Sequence, residues 1–103
     1  MSVYEGRRTK AGAIVTVDGE LLDPRLDLHS HSPDGFEWGC SGSGPAQLAL
    51  AILSSHLQDD PQALDIHQRF KWTVIAGLPD TWKLTSNEVE RAVQSILRME
   101  KGV

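Results

Sequence analysis

Apolar and polar residues alternate with a period of two along the first third of the chain, then change to spacings of three and four. Residues 3–9, VYEGRRT, read as a first strand, and residues 12–17, GAIVTV, rich in β-branched side chains, as a second. Asp18-Gly19 follows, a pair suited to a type I′ turn in which both central residues need positive φ. Residues 20–23 should therefore return antiparallel. Pro24 has no N–H for a ladder and marks a strand end or an edge. Residues 25–32, RLDLHSHS, alternate again, placing Leu26 and Leu28 on one face and Asp27, His29 and His31 on the other. Ser32-Pro33-Asp34-Gly35 has the composition of a turn, and Phe36 to Cys40 would run back as a short strand. The pattern predicts an antiparallel sheet of hairpins, about four or five strands, over residues 1–40.

The remainder reads as two or three helices. Pro45 suits a first helical position with Gly44 or Ser43 as the cap, and Ala46 to Leu57 is apolar on every side, which requires burial nearly all round. A second helix should start at Asp60-Pro61, with Ala63, Ile66, His67, Phe70, Val74 and Gly77 as its inner stripe. Its far end is open to two readings, because the β-branched run at 72–75 also suits a strand. Gly77 and Pro79 terminate it either way. Thr85 and Glu88 have capping-box spacing, and a last helix follows with Val89, Ala92, Val93 and Ile96 inward and Lys101-Gly102 near its end. The fold class expected is α+β: an N-terminal sheet of hairpins on a helical part from 44 to 103, in a single domain over 1–103.

With 103 residues, 40% of them hydrophobic, the chain can bury one core without metal or disulfide support. It opens MSVYEGRRTK with no apolar run behind the basic residues, unlike a secretory signal, and no stretch approaches the ~20 apolar residues of a membrane span. One cysteine makes no internal disulfide, so a cytoplasmic setting is expected. The net charge of −4 argues against bulk phosphate neutralisation. It also leaves Arg7, Arg8 and Lys10 as a small basic group rather than a stripe.

Candidate chemistry gathers at residues 27–45. Ser41, Gly42, Ser43 and Gly44 precede a helix start, where free N–H groups can hold an anion. Yet Pro45-Ala46 stands where a Walker loop needs lysine then serine or threonine, and Gln47 where a dinucleotide fingerprint needs glycine. Ser43 stands where a nucleophile elbow needs its last glycine. A tight turn into a buried helix is the plainer reading. Cys40 would need a histidine base to act as a nucleophile and otherwise behaves as a small hydrophobe. Asp27, His29 and His31 on one strand face form a partial metal site, with Glu37 across the hairpin as a further ligand. The alternative is a polar, solvent-facing sheet surface. His67 on an apolar stripe reads as a hydrogen-bonded semi-core histidine. Trp38, Trp72 and Trp82 read as packing residues, or as a contact surface where two are exposed together.

The stretches SPDGFEWGCSGSGPAQLALAIL and HQRFKWTVIAGLP, with YEGRRT and AIVTVDGELLDPRLDLHSHSP before them, resemble a family of small single-domain bacterial proteins of unknown function. The likeness covers nearly the whole chain. It implies no reaction and carries over no catalytic residue. The family's spread over plasmids, phages and integrated elements implies an accessory role. Relatives are expected to carry tyrosine and glycine where this chain has Cys40-Ser41, which weakens a nucleophile role for Cys40.

The expectation is a binding protein without catalysis or cofactor, a monomer or homodimer whose partner is another protein rather than nucleic acid or membrane. In its sharpest form it inhibits a host defence complex in the manner of an anti-CRISPR protein. Expected contacts are His29, His31, Asp34, Phe36, Glu37 and Trp38 on the hairpin tip, and Arg69 on a helix. Two alternatives compete with this reading. One is a metal- or phosphate-dependent hydrolase centred on Asp27, His29 and His31; the other is a nucleic-acid-binding regulator using Arg7, Arg8 and Lys10.

Overall fold

A computed structural model describes residues 1–100. Three strands open the chain, β1 (Val3–Thr9), β2 (Gly12–Val17) and β3 (Glu20–Leu21), and the expected turn joins the last two, with Asp18 at φ 52° and Gly19 at φ 87°. Three helices follow, α1 (Ser43–Leu57), α2 (Asp60–Thr73) and α3 (Ser86–Glu100), with a 3-10 turn at Ile75–Gly77 and a fourth strand, β4 (Trp82–Thr85), between the last two. The sheet is antiparallel throughout, in the order β3-β2-β1-β4. The α+β class expected from the sequence is the class observed.

Alternation along β1 sorts the sheet's two faces. Tyr4 and Gly6 pair with Val17 and Val15 on one side and with Leu84 and Trp82 on the other, while Glu5, Arg7 and Lys83 are exposed. Gly6 is required there, since a Cβ would lie 2.3 Å from the Trp82 ring. The bare backbone lets the indole cross the strand. Tyr4 reaches α1 through its hydroxyl, 3.1 Å from Ser55 Oγ.

Two expected strands, over 25–32 and 36–40, do not form. Asp23 Oδ1 accepts from Arg25 N at 2.9 Å, and Arg25 takes a left-handed conformation (φ 55°). Its carbonyl then accepts from Leu28 N at 3.0 Å. A side chain that satisfies backbone locally competes directly with a ladder, and here it outweighs the alternation of RLDLHSHS. Residues 22–42 therefore cross α1 as irregular chain, and the strand beside β1 comes from WKLT at 82–85 instead.

Helix α1 is buried from Gly44 to Ser54, as its all-round apolar sequence requires. Its cap is Gly42, without a side-chain bond, rather than Ser43 or Gly44. Asp59 caps α2 by accepting from Gln62 N at 3.1 Å, one residue before the expected cap. Ala63, Ile66, His67 and Phe70 face inward, and the run at 72–75 is no strand: α2 ends at Thr73 and Ile75 is buried in the 3-10 turn. Gly77, placed on the inner stripe by the spacing, is exposed. The capping box is present, with Glu88 Oε1 accepting from Thr85 N at 2.9 Å and Thr85 Oγ1 accepting from Glu88 N at 3.2 Å. Val89, Val93 and Ile96 are the buried face of α3; Lys101 and Gly102 lie outside the described residues. No helix among the described residues is long and apolar enough to cross a membrane.

Candidate functional site

A glutamine inside an apolar helix organises the irregular segment. Gln47 is 0% exposed, and a buried primary amide has two N–H groups and two acceptor sites to satisfy. Its oxygen accepts from His31 N (2.7 Å) and Ser32 N (3.0 Å), and its nitrogen donates to Pro24 O (2.6 Å) and His29 O (3.0 Å). Residues 24–32 are stitched to α1 by one side chain. Other ties hold the rest of the cover. Arg25 bridges Asp27 and Asp60 at 3.0 Å each, and Gly39 N donates to Ile75 O at 3.0 Å. Arg8 reaches from β1 to Glu37 (2.5 Å), Asp80 (3.2 Å) and the carbonyl of Trp38 (3.1 Å), with its guanidinium 4.6 Å from the Trp38 ring centroid.

This stitching brings three imidazoles together. His31 and His29 have ring centroids 4.0 Å apart, and His31 Nε2 lies 2.9 Å from His67 Nε2 on α2. A carbonyl only accepts, so the 2.7 Å contact from His67 Nδ1 to Leu64 O places a hydrogen on Nδ1. The Nε2 of neutral His67 is then an acceptor, and the donor across the 2.9 Å gap is His31 Nε2–H. Both groups titrate below their ordinary value of 6.5. Burial is the main cause for each, and for His31 the neighbouring His29, His67 and Lys71 add repulsion. Both effects favour the neutral form of each imidazole.

The expected trio does not assemble around Asp27. Without a strand its carboxylate turns to Arg25, which holds it below the usual carboxylate range. Among the described residues no group of three or more His, Cys, Asp or Glu is placed to hold a metal ion. Of the expected contact residues, His29, Asp34, Glu37 and Arg69 are exposed and His31 and Phe36 half-buried, but Trp38 is 2% exposed, edge-on to Trp82 with centroids 5.6 Å apart. Trp38 is core, not surface. Cys40 is an exposed free thiol.

Of residues 41–44, Ser43 and Gly44 already belong to α1. Gly44 is pressed against the neighbouring chain, where a Cβ would lie 2.7 Å from Glu37 Cβ and 3.1 Å from Glu37 N. Gly39 carries the left-handed turn (φ 74°) beneath it. Arg7 and Arg8 point to opposite faces of β1, Arg7 outward and Arg8 into its acidic partners.

Sequence reasoning passed over two features. One is Gln47, whose signal was a polar residue in a run that must be buried. The other is the extent of a surface on α2 and α3, of which the sequence offered only Arg69 and, among three tryptophans, Trp72; there Trp72 is 62% and Met99 66% exposed. Arg69, Thr73 and Ile96 complete a cleft of about 160 Å³ between them, and Lys71 Nζ sits 4.8 Å from the Trp72 ring centroid.

A family model described as "Family of unknown function (DUF6166)" matches residues 4–95. No curated protein and no solved structure matches the chain.

Proposed function

The chain belongs to this family of unknown function, and we propose that it is a non-enzymatic binding protein that meets another protein through the face formed by α2 and α3. The observation that carries this reading is Trp72, a large aromatic left 62% exposed beside Met99 and Arg69. Tryptophan, methionine and arginine are the side chains enriched where proteins meet, and an anchoring aromatic near the centre of a contact dominates its energy. This reading favours the α2–α3 face over the loop tip, where His29, Asp34 and Glu37 are exposed but Trp38 is buried and His31 is bonded to His67.

In its finer form the partner is a host defence assembly, whose functional surface the protein covers in the manner of an anti-CRISPR inhibitor. Chain size and the resemblance to small proteins of mobile elements support that form; about 800 Å² per partner is within reach of a domain this small. The exposed free thiol of Cys40 supports a reducing, cytoplasmic setting.

The test is in-cell cross-linking followed by affinity capture, with wild type compared against a Trp72→Ser/Met99→Ser double variant and a His29→Ala/Asp34→Ala variant. All four positions are exposed, so the fold survives each change. A partner kept by wild type and the loop variant but lost by the helix-face variant supports the reading. No partner, or one kept by the helix-face variant, overturns it.

A further inference from the structure

We propose that the open edge of β2 at Gly12 and Ala13 is a second interaction surface, separate from the α2–α3 face, which takes an extended cationic peptide as an added strand. The edge follows from the ladder. Backbone groups along an antiparallel strand turn alternately to one neighbour and to the other. Val15 O accepts from Leu22 N at 3.0 Å, so Val15 turns toward β3. Ala13, at the same phase of the strand, turns its N–H and C=O the same way. But β3 pairs only with Thr16 and Val17, and no strand of the sheet lies opposite Ala13. Among the described residues no hydrogen bond reaches either group.

Beside this edge the chain stays irregular and leaves a groove of about 310 Å³, with Gly12 and Ala13 on one wall and Ser32, Asp34, Phe36 and Glu37 on the other. That volume lies at the lower end of ligand clefts, about 300–1,000 Å³, and suits one short run of extended chain. A strand added to a sheet edge gains main-chain hydrogen bonds, while its alternate side chains supply selectivity. Here a residue opposite Ala13 both donates to it and accepts from it. Ala13 and Phe36 are half-buried against the core, which favours an apolar side chain beside them. Asp34 is exposed, and among the described residues no cation of this chain pairs with it. Glu37 is shared with Arg8. On a chain of net charge −4, a lysine or arginine next to the apolar residue is the complementary choice. A second copy of this acidic domain lacks that complementarity.

The experiment titrates the isotope-labelled full chain with a capped hexapeptide of alternating valine and lysine, followed through the backbone amide resonances at neutral pH. Two comparison peptides carry glutamate in place of lysine, or methyl groups on the backbone nitrogens of the valines. The valine–lysine peptide should give saturable shifts at residues 11–15 and 32–37. The methylated peptide, which cannot donate to Ala13 O, and the glutamate peptide should give none. Asp34→Asn should weaken binding by roughly two- to fivefold, the effect of an exposed ion pair. Asp65→Asn, which removes an exposed carboxylate from α2, should leave it unchanged. No saturable shift, or shifts that map elsewhere, overturns the proposal. So does equal binding of the methylated peptide, or equal binding by Asp34→Asn. Shifts at this edge that grow with protein concentration alone make a second copy the occupant and overturn it as well.

Discussion

Replacing Gln47 with methionine keeps the length and flexibility of the side chain and removes all four of its hydrogen bonds. The amide is 0% exposed and bonds to the N–H groups of His31 and Ser32 and the carbonyls of Pro24 and His29. A net hydrogen bond contributes about 0.5–1.5 kcal/mol, and a backbone group stranded without a partner costs about 1–3 kcal/mol. Four groups lose their partner at once. His29 is exposed and Pro24 half-buried, so water can reach part of the loss once the cover lifts. These terms bring the expected destabilisation to about 2–4 kcal/mol, read as a lower urea midpoint. The melting temperature should fall by roughly 4–8 °C per kcal/mol for a domain of this size. Gln47→Glu sharpens the test. It sets a second oxygen against two carbonyls, so its deficit should shrink as pH falls and the carboxyl takes up a proton it can donate. A methionine variant within about 0.5 kcal/mol of wild type, the scatter of ordinary surface substitutions, would refute the clamp.

Other expectations follow from single contacts. Gly44→Ala forces Glu37 away from its 2.7 Å approach and should cost about 1–2 kcal/mol by overpacking. Gly42→Ser, where an added Cβ meets nothing within 4 Å and the cap lacks a side-chain bond, should gain a few tenths of a kcal/mol; urea melts of both check this contrast. Burial lowers the folded-state pKa of His31 and His67 below 6.5, so the unfolded chain takes up protons first on acidification. Stability should therefore decline as pH drops from about 6.5 and level off below the folded-state values, with a shallower decline in His67→Gln. Thr85→Ala opens the capping box of α3 and should cost about 1 kcal/mol in thermal or urea unfolding.

Much of the architecture was legible where local and tertiary preferences agree. Asp18-Gly19 specifies a turn by its φ requirements, Thr85 and Glu88 a helix start by reciprocal bonding, and Ala46 to Leu57 a buried helix by lacking a polar face. The reading failed where one long-range or side-chain contact outweighed a period. RLDLHSHS alternates like a strand, but Asp23 and Arg25 turn it, and Gln47 satisfies the backbone groups a neighbouring strand would have taken. WKLT is only four residues long, and its place beside β1 depends on Gly6 leaving room for Trp82. The histidines stood out in the sequence, but their partner did not. His67 lies 36 residues from His31, and only the docking of the cover brings them together.

The account rests on residues 22–42 being a fixed cover over α1 rather than a loop that opens to admit a ligand. Amide hydrogen exchange of the wild-type chain, resolved by residue, measures this directly. The N–H groups of Leu22, His31, Ser32 and Gly39 donate to Val15 O, to Gln47 and to Ile75 O, and they should exchange slowly, with protection approaching that of α1. Exchange of these four at the rate of an unstructured peptide, while α1 stays protected, would contradict it.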